Sequence, residues 1–133
     1  MQYELDRKFG LKNEDIVFDI LNEVATNVKK TDRYNIYDYE CDKYHYELKS
    51  RNIASYVFPT TMLPYNKIKH SKKVNKPVIF LFSFIDGLYF WIEKDTVTYE
   101  IKEGGRYRDG KKETSLYAYI NCDELIPFKD FVY

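Results

Sequence analysis

The sequence predicts an α+β fold, a mixed β-sheet flanked by helices, and three patterns carry that prediction. Residues 13–28 space their apolar side chains at helical intervals. Residues 33–51 alternate with period two, as a β-hairpin does. Residues 77–84 are almost continuously apolar, which suits a strand covered on both faces in the middle of a sheet. The whole chain, 1–133, reads as one domain, long enough to bury a single core.

The first helix rests on Ile16, Val17, Ile20, Leu21, Val24 and Val28, with Asn13 as its cap. Glu14 and Asp15 fall in its first turn, where carboxylates favour the helix dipole. After the hairpin, residues 52–59 read as an extended connection. A second helix is expected from Thr60-Thr61 to about residue 75, with Pro64 tolerated near its start. Lys67, Lys69, His70, Lys72, Lys73 and Lys76 make that helix basic, and with Lys49 and Arg51 they suit a phosphate backbone. Asp86-Gly87 is a hairpin turn between the apolar strand and residues 88–92, in which Trp91 fills core. Residues 97–101 and 115–120 are further strands. Between them residues 103–113 form a Gly-rich loop or hairpin tip carrying Arg106, Arg108, Lys111 and Lys112. Residues 123–127 form a closing turn.

Chemistry concentrates in the first hairpin. Residues two apart on a strand share a face, so Glu47 and Lys49 emerge together while Leu48 points away. A two-residue loop at Asp42-Lys43 sets Asp38 directly opposite Glu47, and any even loop length keeps the two on one face. Ile36, Asp38, Glu40, His45, Glu47 and Lys49 then line one face, and Tyr37, Tyr39, Tyr44, Tyr46 and Leu48 the other, the core face. Clustered carboxylates repel unless a cation holds them. Mg²⁺ takes hard oxygen ligands, often one or two carboxylates completed by water and substrate phosphate, and Mn²⁺ can substitute. Asp38 and Glu47 supply the carboxylates, the Leu48 backbone carbonyl a further oxygen, and Lys49 a cation that orients water or neutralises phosphate charge. One histidine, His45, is too few for a structural zinc site.

Asp38, Glu47 and Lys49 resemble the Asp and Glu-x-Lys motif of the PD-(D/E)xK nuclease superfamily, the restriction-endonuclease-like fold. The motif's proline is replaced by Tyr37. The resemblance implies a Mg²⁺-dependent endonuclease that hydrolyses phosphodiester bonds, with catalytic Asp38, Glu47 and Lys49 and a metal held by Asp38, Glu47 and the Leu48 carbonyl. Within the superfamily the chain resembles Holliday-junction-resolvase-like or phage and viral-type members, and several branches, including ones resembling the resolvases, carry a Glu on the first helix that contacts the metal directly or through water. Glu14 stands in that position. Arg51, Lys67, Lys69, Lys72 and Lys73 are the candidates for contacting nucleic acid, with Lys67 nearest the site.

Composition sets the remaining expectations. With 21 basic and 21 acidic residues the formal charge is zero, so a nucleic-acid surface depends on how the charges are distributed. Two cysteines, Cys41 and Cys122, form no CxxC pair, and no secretory segment precedes the first helix, which favours a soluble intracellular protein of cytoplasm, nucleoid or nucleus. The apolar run at 77–85 is far short of the roughly 20 residues needed to cross a bilayer. Fourteen tyrosines leave room for a homodimer interface. The competing function is a catalytically inactive nucleic-acid-binding or protein-interaction domain of the same fold.

Overall fold

The computed structural model describes the backbone of residues 2–108 and 110–133 and the side chains of residues 9–104, 110 and 115–133. The order is α1 (Gln2–Val24), β1 (Lys29–Lys30), β2 (Tyr39–Glu40), β3 (His45–Ser50), β4 (Thr60–Pro64), α2 (Tyr65–Ser71), β5 (Val78–Phe84), β6 (Gly87–Trp91), β7 (Glu100–Arg108), β8 (Lys111–Asn121) and β9 (Ile126–Pro127). Short 3-10 turns, Cys122–Glu124 and Phe128–Asp130, flank β9. The fold is α+β. Six strands form a mixed sheet in the order β1-β2-β3-β5-β6-β9, and three form an antiparallel sheet in the order β4-β8-β7.

Within the large sheet β3 and β5 run parallel and the other pairs antiparallel. A parallel pair needs a long crossover. Here the crossover carries β4 and α2, and so delivers a helix and the second sheet to one face of β3 and β5. That face packs Phe80, Phe82 and Trp91 against Ile68 of α2, Leu63 of β4 and Ala118 and Ile120 of β8. On the opposite face Tyr46, Leu48, Ile79 and Leu81 meet Val17 and Leu21 of α1. All seven residues of β5 are buried, as its apolar run predicts, and Trp91 is core filler.

Several sequence expectations need correction. Helix α1 begins well before Asn13 and ends at Val24. The Asn13 side chain is not a cap, since it donates to the Phe9 carbonyl one turn back. Asn27, at φ 58°, turns the chain away, so Val28 lies beyond the helix. Residues 34–38 are bends and turns instead of strand, because the Asp32 and Asn35 side chains accept from the Tyr34 and Tyr37 N–H groups and fold the backbone locally. Thr60–Pro64 is a strand, since β8 pairs with it, and α2 is only the seven residues that follow. The hairpin after β5 turns at Ile85-Asp86, with Phe84 paired to Gly87, one residue earlier than the sequence signal. The expected 103–113 loop is mostly the paired arms of β7 and β8. The side chains of Arg106, Arg108, Lys111 and Lys112 lie outside the described residues.

Candidate active site

The hairpin register agrees with the two-residue loop: Glu40 pairs with His45 and Tyr39 with Tyr46, and the Cys41 N–H donates to the Tyr44 carbonyl. One residue further, at Asp38, the strand has ended and the ladder turns irregular. The Asp38 N–H donates to the Tyr46 carbonyl at 3.0 Å. The Leu48 N–H, left without a backbone partner by the bend at residues 34–38, donates to Asp38 Oδ2 at 2.7 Å. The Asp38 side chain thus replaces a strand carbonyl. Because the N–H and C=O of one strand residue point to the same edge, the Leu48 carbonyl is also directed at the Asp38 edge of β3.

Glu47 faces α2 and is 2 % exposed. Lys49 Nζ lies 3.2 Å and Lys67 Nζ 3.4 Å from the same oxygen, Oε2. Oε1 is buried without a hydrogen-bond partner. Burial raises the Glu47 pKa from 4.5 to about 7, against the pull of Lys49 and Lys67 and with a smaller push from Asp38. Its face is therefore not solvent-exposed, as an isolated hairpin would leave it. The crossover covers it.

Lys67 is fixed by a two-way tie that the sequence did not reveal. Its ammonium donates to the Ile36 carbonyl, and the Tyr37 hydroxyl donates to the Lys67 carbonyl at 2.8 Å. Tyr37 belongs to the α2 side, with its ring 5.6 Å from that of His45, and not to the α1-side core face expected for it. The bend at 34–38 breaks the period-two alternation there. Its only sequence signal was the turn formers Asp32 and Asn35.

Glu14 is brought in from α1: its backbone carbonyl accepts from the Tyr39 hydroxyl at 2.7 Å. Burial and then Asp38 raise the Glu14 carboxyl pKa, while Lys30 opposes them. Glu14, Asp38 and Lys67 line a cleft of about 360 Å³. Lys67 also lines a larger cleft of about 820 Å³, together with Lys49, Arg51 and residues of β4 and β8.

The other basic candidates divide. Lys69 and Lys73 are exposed on and just after α2. Lys72 pairs with Glu93 at 3.3 Å. Arg51 is turned inward, with Nη2 donating to the Met62 carbonyl at 2.5 Å, and burial lowers its pKa. It ties β4 to the end of β3. His45 lies 3.7 Å from Glu40, with both ring nitrogens buried and unpartnered.

For a divalent cation, the orphaned Glu47 Oε1 and the Asp38 oxygen not used by Leu48 are oxygen donors of the right kind. Among the described residues no group of three or more His, Cys, Asp or Glu is placed to hold a metal. Glu14, Asp38 and Glu47, expected near one cation, therefore do not come together as a three-carboxylate group. Compared with known protein families, curated proteins and solved structures, the chain finds no match. Among the described residues no helix is long and apolar enough to cross a membrane.

Proposed function

We propose that the protein is a metal-dependent nuclease that hydrolyses phosphodiester bonds, a DNA endonuclease of the PD-(D/E)xK kind with a restriction-endonuclease-like core. The observation that carries this reading is the Glu47 carboxylate. It is buried between Lys49 and Lys67, near enough to Asp38 for that carboxylate to push its pKa up, and keeps one oxygen unpartnered. A buried acid whose ion pairs satisfy only one of its two oxygens, beside a second acid, is a perturbed group of the kind that active sites collect.

Asp38 and Glu47 would hold the cation, with the Leu48 carbonyl as a third oxygen and Glu14 as an outer contact. When bound, Mg²⁺ or Mn²⁺ would supply positive charge at the phosphate and make a water more acidic. Lys49 would orient the attacking water by hydrogen bonding. Lys67 holds positive charge beside Glu47 and contacts the phosphate backbone, with Lys69 and Lys73 extending the cationic track. The substrate is nucleic acid inside the cell, and a homodimer gives two cutting sites for the two strands of a duplex.

The near-complete burial of Glu47 favours one alternative: a domain of the same fold that binds nucleic acid or protein without cutting, its three charges serving as an interior ion cluster. The test is cleavage of linear, circular, single-stranded and four-way-branched DNA by wild type and Lys49→Ala, with Mg²⁺, Mn²⁺ or EDTA. Metal-dependent cutting that a folded Lys49→Ala protein lacks supports the nuclease. No cutting of any substrate by folded wild type selects the alternative.

A further inference from the structure

The larger cleft differs from the carboxylate-bearing one in charge and in walls. Among its lining residues are three cations, Lys49, Arg51 and Lys67, and no carboxylate. Arg51 is turned inward to the Met62 carbonyl, which leaves Lys49 and Lys67 to meet an anion; Glu47, paired with both, offsets one of their two charges, so the cleft keeps a net positive charge. Its volume, about 820 Å³, is in the range of small-molecule sites and well above that of a packing defect.

Aromatic rings form much of the wall. Tyr117 and Tyr119 project from β8 on one face, two residues apart, and Phe58 stands at the rim, 58 % exposed. The Tyr117 ring lies over β7 at Gly104, where a Cβ would come within 2.7 Å of Tyr117 Cδ2. A glycine at this position is what lets the ring lie there. Tyr119 carries Lys102 Nζ 4.6 Å from its ring centroid, a contact that a stacked base would have to displace.

Anionic backbone recognition by lysines beside stackable aromatic rings is the chemistry that grips unpaired polynucleotide. A duplex keeps its bases stacked inside and cannot offer them to Tyr117 without unpairing. We infer that this cleft binds the unpaired bases of a single-stranded polynucleotide, with Tyr117 and Phe58 as stacking platforms, and that Lys67, which lines both clefts, passes the strand's backbone to the carboxylate side. The choice of a polynucleotide over another aromatic anion rests on the nuclease reading.

Fluorescence anisotropy in EDTA tests the inference without cleavage, using labelled oligo(dT), a duplex of the same length and an abasic strand of the same length. Oligo(dT) is expected to bind about tenfold or more tightly than either competitor. Tyr117→Ala should weaken its binding by roughly 5- to 100-fold, and Tyr117→Phe should restore it. Phe58→Ala, at an exposed position where folding is not at stake, should also weaken it. Equal binding of the abasic strand or the duplex, or unchanged binding by Phe58→Ala and a folded Tyr117→Ala protein, overturns the assignment even if the protein cuts DNA. Selective binding without any metal-dependent cutting supports the cleft and removes only the nuclease.

Discussion

The Tyr37 hydroxyl donates to the backbone carbonyl of Lys67 at 2.8 Å, while the Lys67 ammonium reaches back to the carbonyl of Ile36, the residue before Tyr37. This exchange locks α2 to the bend that ends at Asp38. It makes the position of Lys67 beside Glu47 depend on a residue that bears no charge. Tyr37→Phe should keep the ring and remove one hydrogen bond, costing about 1 kcal/mol of stability. Single-turnover cleavage should fall by roughly ten- to a hundredfold through misplacement of Lys67. Thermal unfolding and rate measurement on the same sample separate the two effects.

Asp38 has two duties, and two substitutions separate them. Asp38→Ala leaves the Leu48 N–H without its acceptor and should cost about 1–3 kcal/mol. Asp38→Asn retains an oxygen for Leu48, so it should fold nearly as well as wild type yet lose metal-dependent cleavage. Denaturant unfolding of both variants, beside an activity assay, checks this.

Glu47 sets a pH dependence of stability. Its folded pKa, about 7, lies above the ordinary 4.5, so between these values the native state holds a proton that the unfolded chain has released. The Glu47 contribution to native stability should therefore be fully present below about pH 4.5, fall as the pH rises, and level off above about 7. The total attributable to this group is of the order of 3 kcal/mol. Glu47→Gln should flatten that slope. At pH 8, Mg²⁺ at a hundred times its dissociation constant should return about 2.7 kcal/mol to wild type and nothing to Glu47→Gln. Urea unfolding across pH, with and without Mg²⁺, reads both.

The basic residues should divide by exposure. Removing Lys69 and Lys73 together should leave stability unchanged and lower the salt slope of DNA binding by about 1.5, two phosphate contacts' worth. Arg51→Met should act the opposite way, costing about 2 kcal/mol by stranding the Met62 carbonyl, with the salt slope hardly moved. Binding titrations at several salt concentrations distinguish them.

Local pattern carried the parts of the fold that local chemistry decides. The apolar run marked β5 as central, and Asp42-Lys43 between alternating segments set the register that pairs Glu40 with His45 and Tyr39 with Tyr46. Non-local pairing decided the rest. Thr60-Thr61 before Pro64 resembles a helix start, and only β8, whose Tyr117 pairs with Pro64 and whose Asn121 pairs with Thr60, makes it a strand. Gly104-Gly105 resembles a loop, whereas Gly104 is where the Tyr117 ring crosses β7. Strand parity made Glu47 and Lys49 legible as neighbours, whereas Asp38 reaches β3 through the Leu48 N–H from a bend that parity does not describe. Lys67 was favoured as nearest the site, but its tie to Tyr37 was not legible, since turn formers at Asp32 and Asn35 reverse the Tyr37 face. The inward turn of Arg51 depends on β4 and was equally hidden.

The most direct measurement is single-turnover cleavage of an end-labelled single-stranded DNA by wild type and Glu47→Gln at pH 8, in Mg²⁺ and in EDTA. Cutting by wild type in Mg²⁺ alone, abolished in a Glu47→Gln protein that is as stable as wild type or more so, is the predicted result. Equal cutting by the two proteins, or cutting that persists in EDTA, contradicts the assignment of Glu47 as a metal-holding catalytic carboxylate.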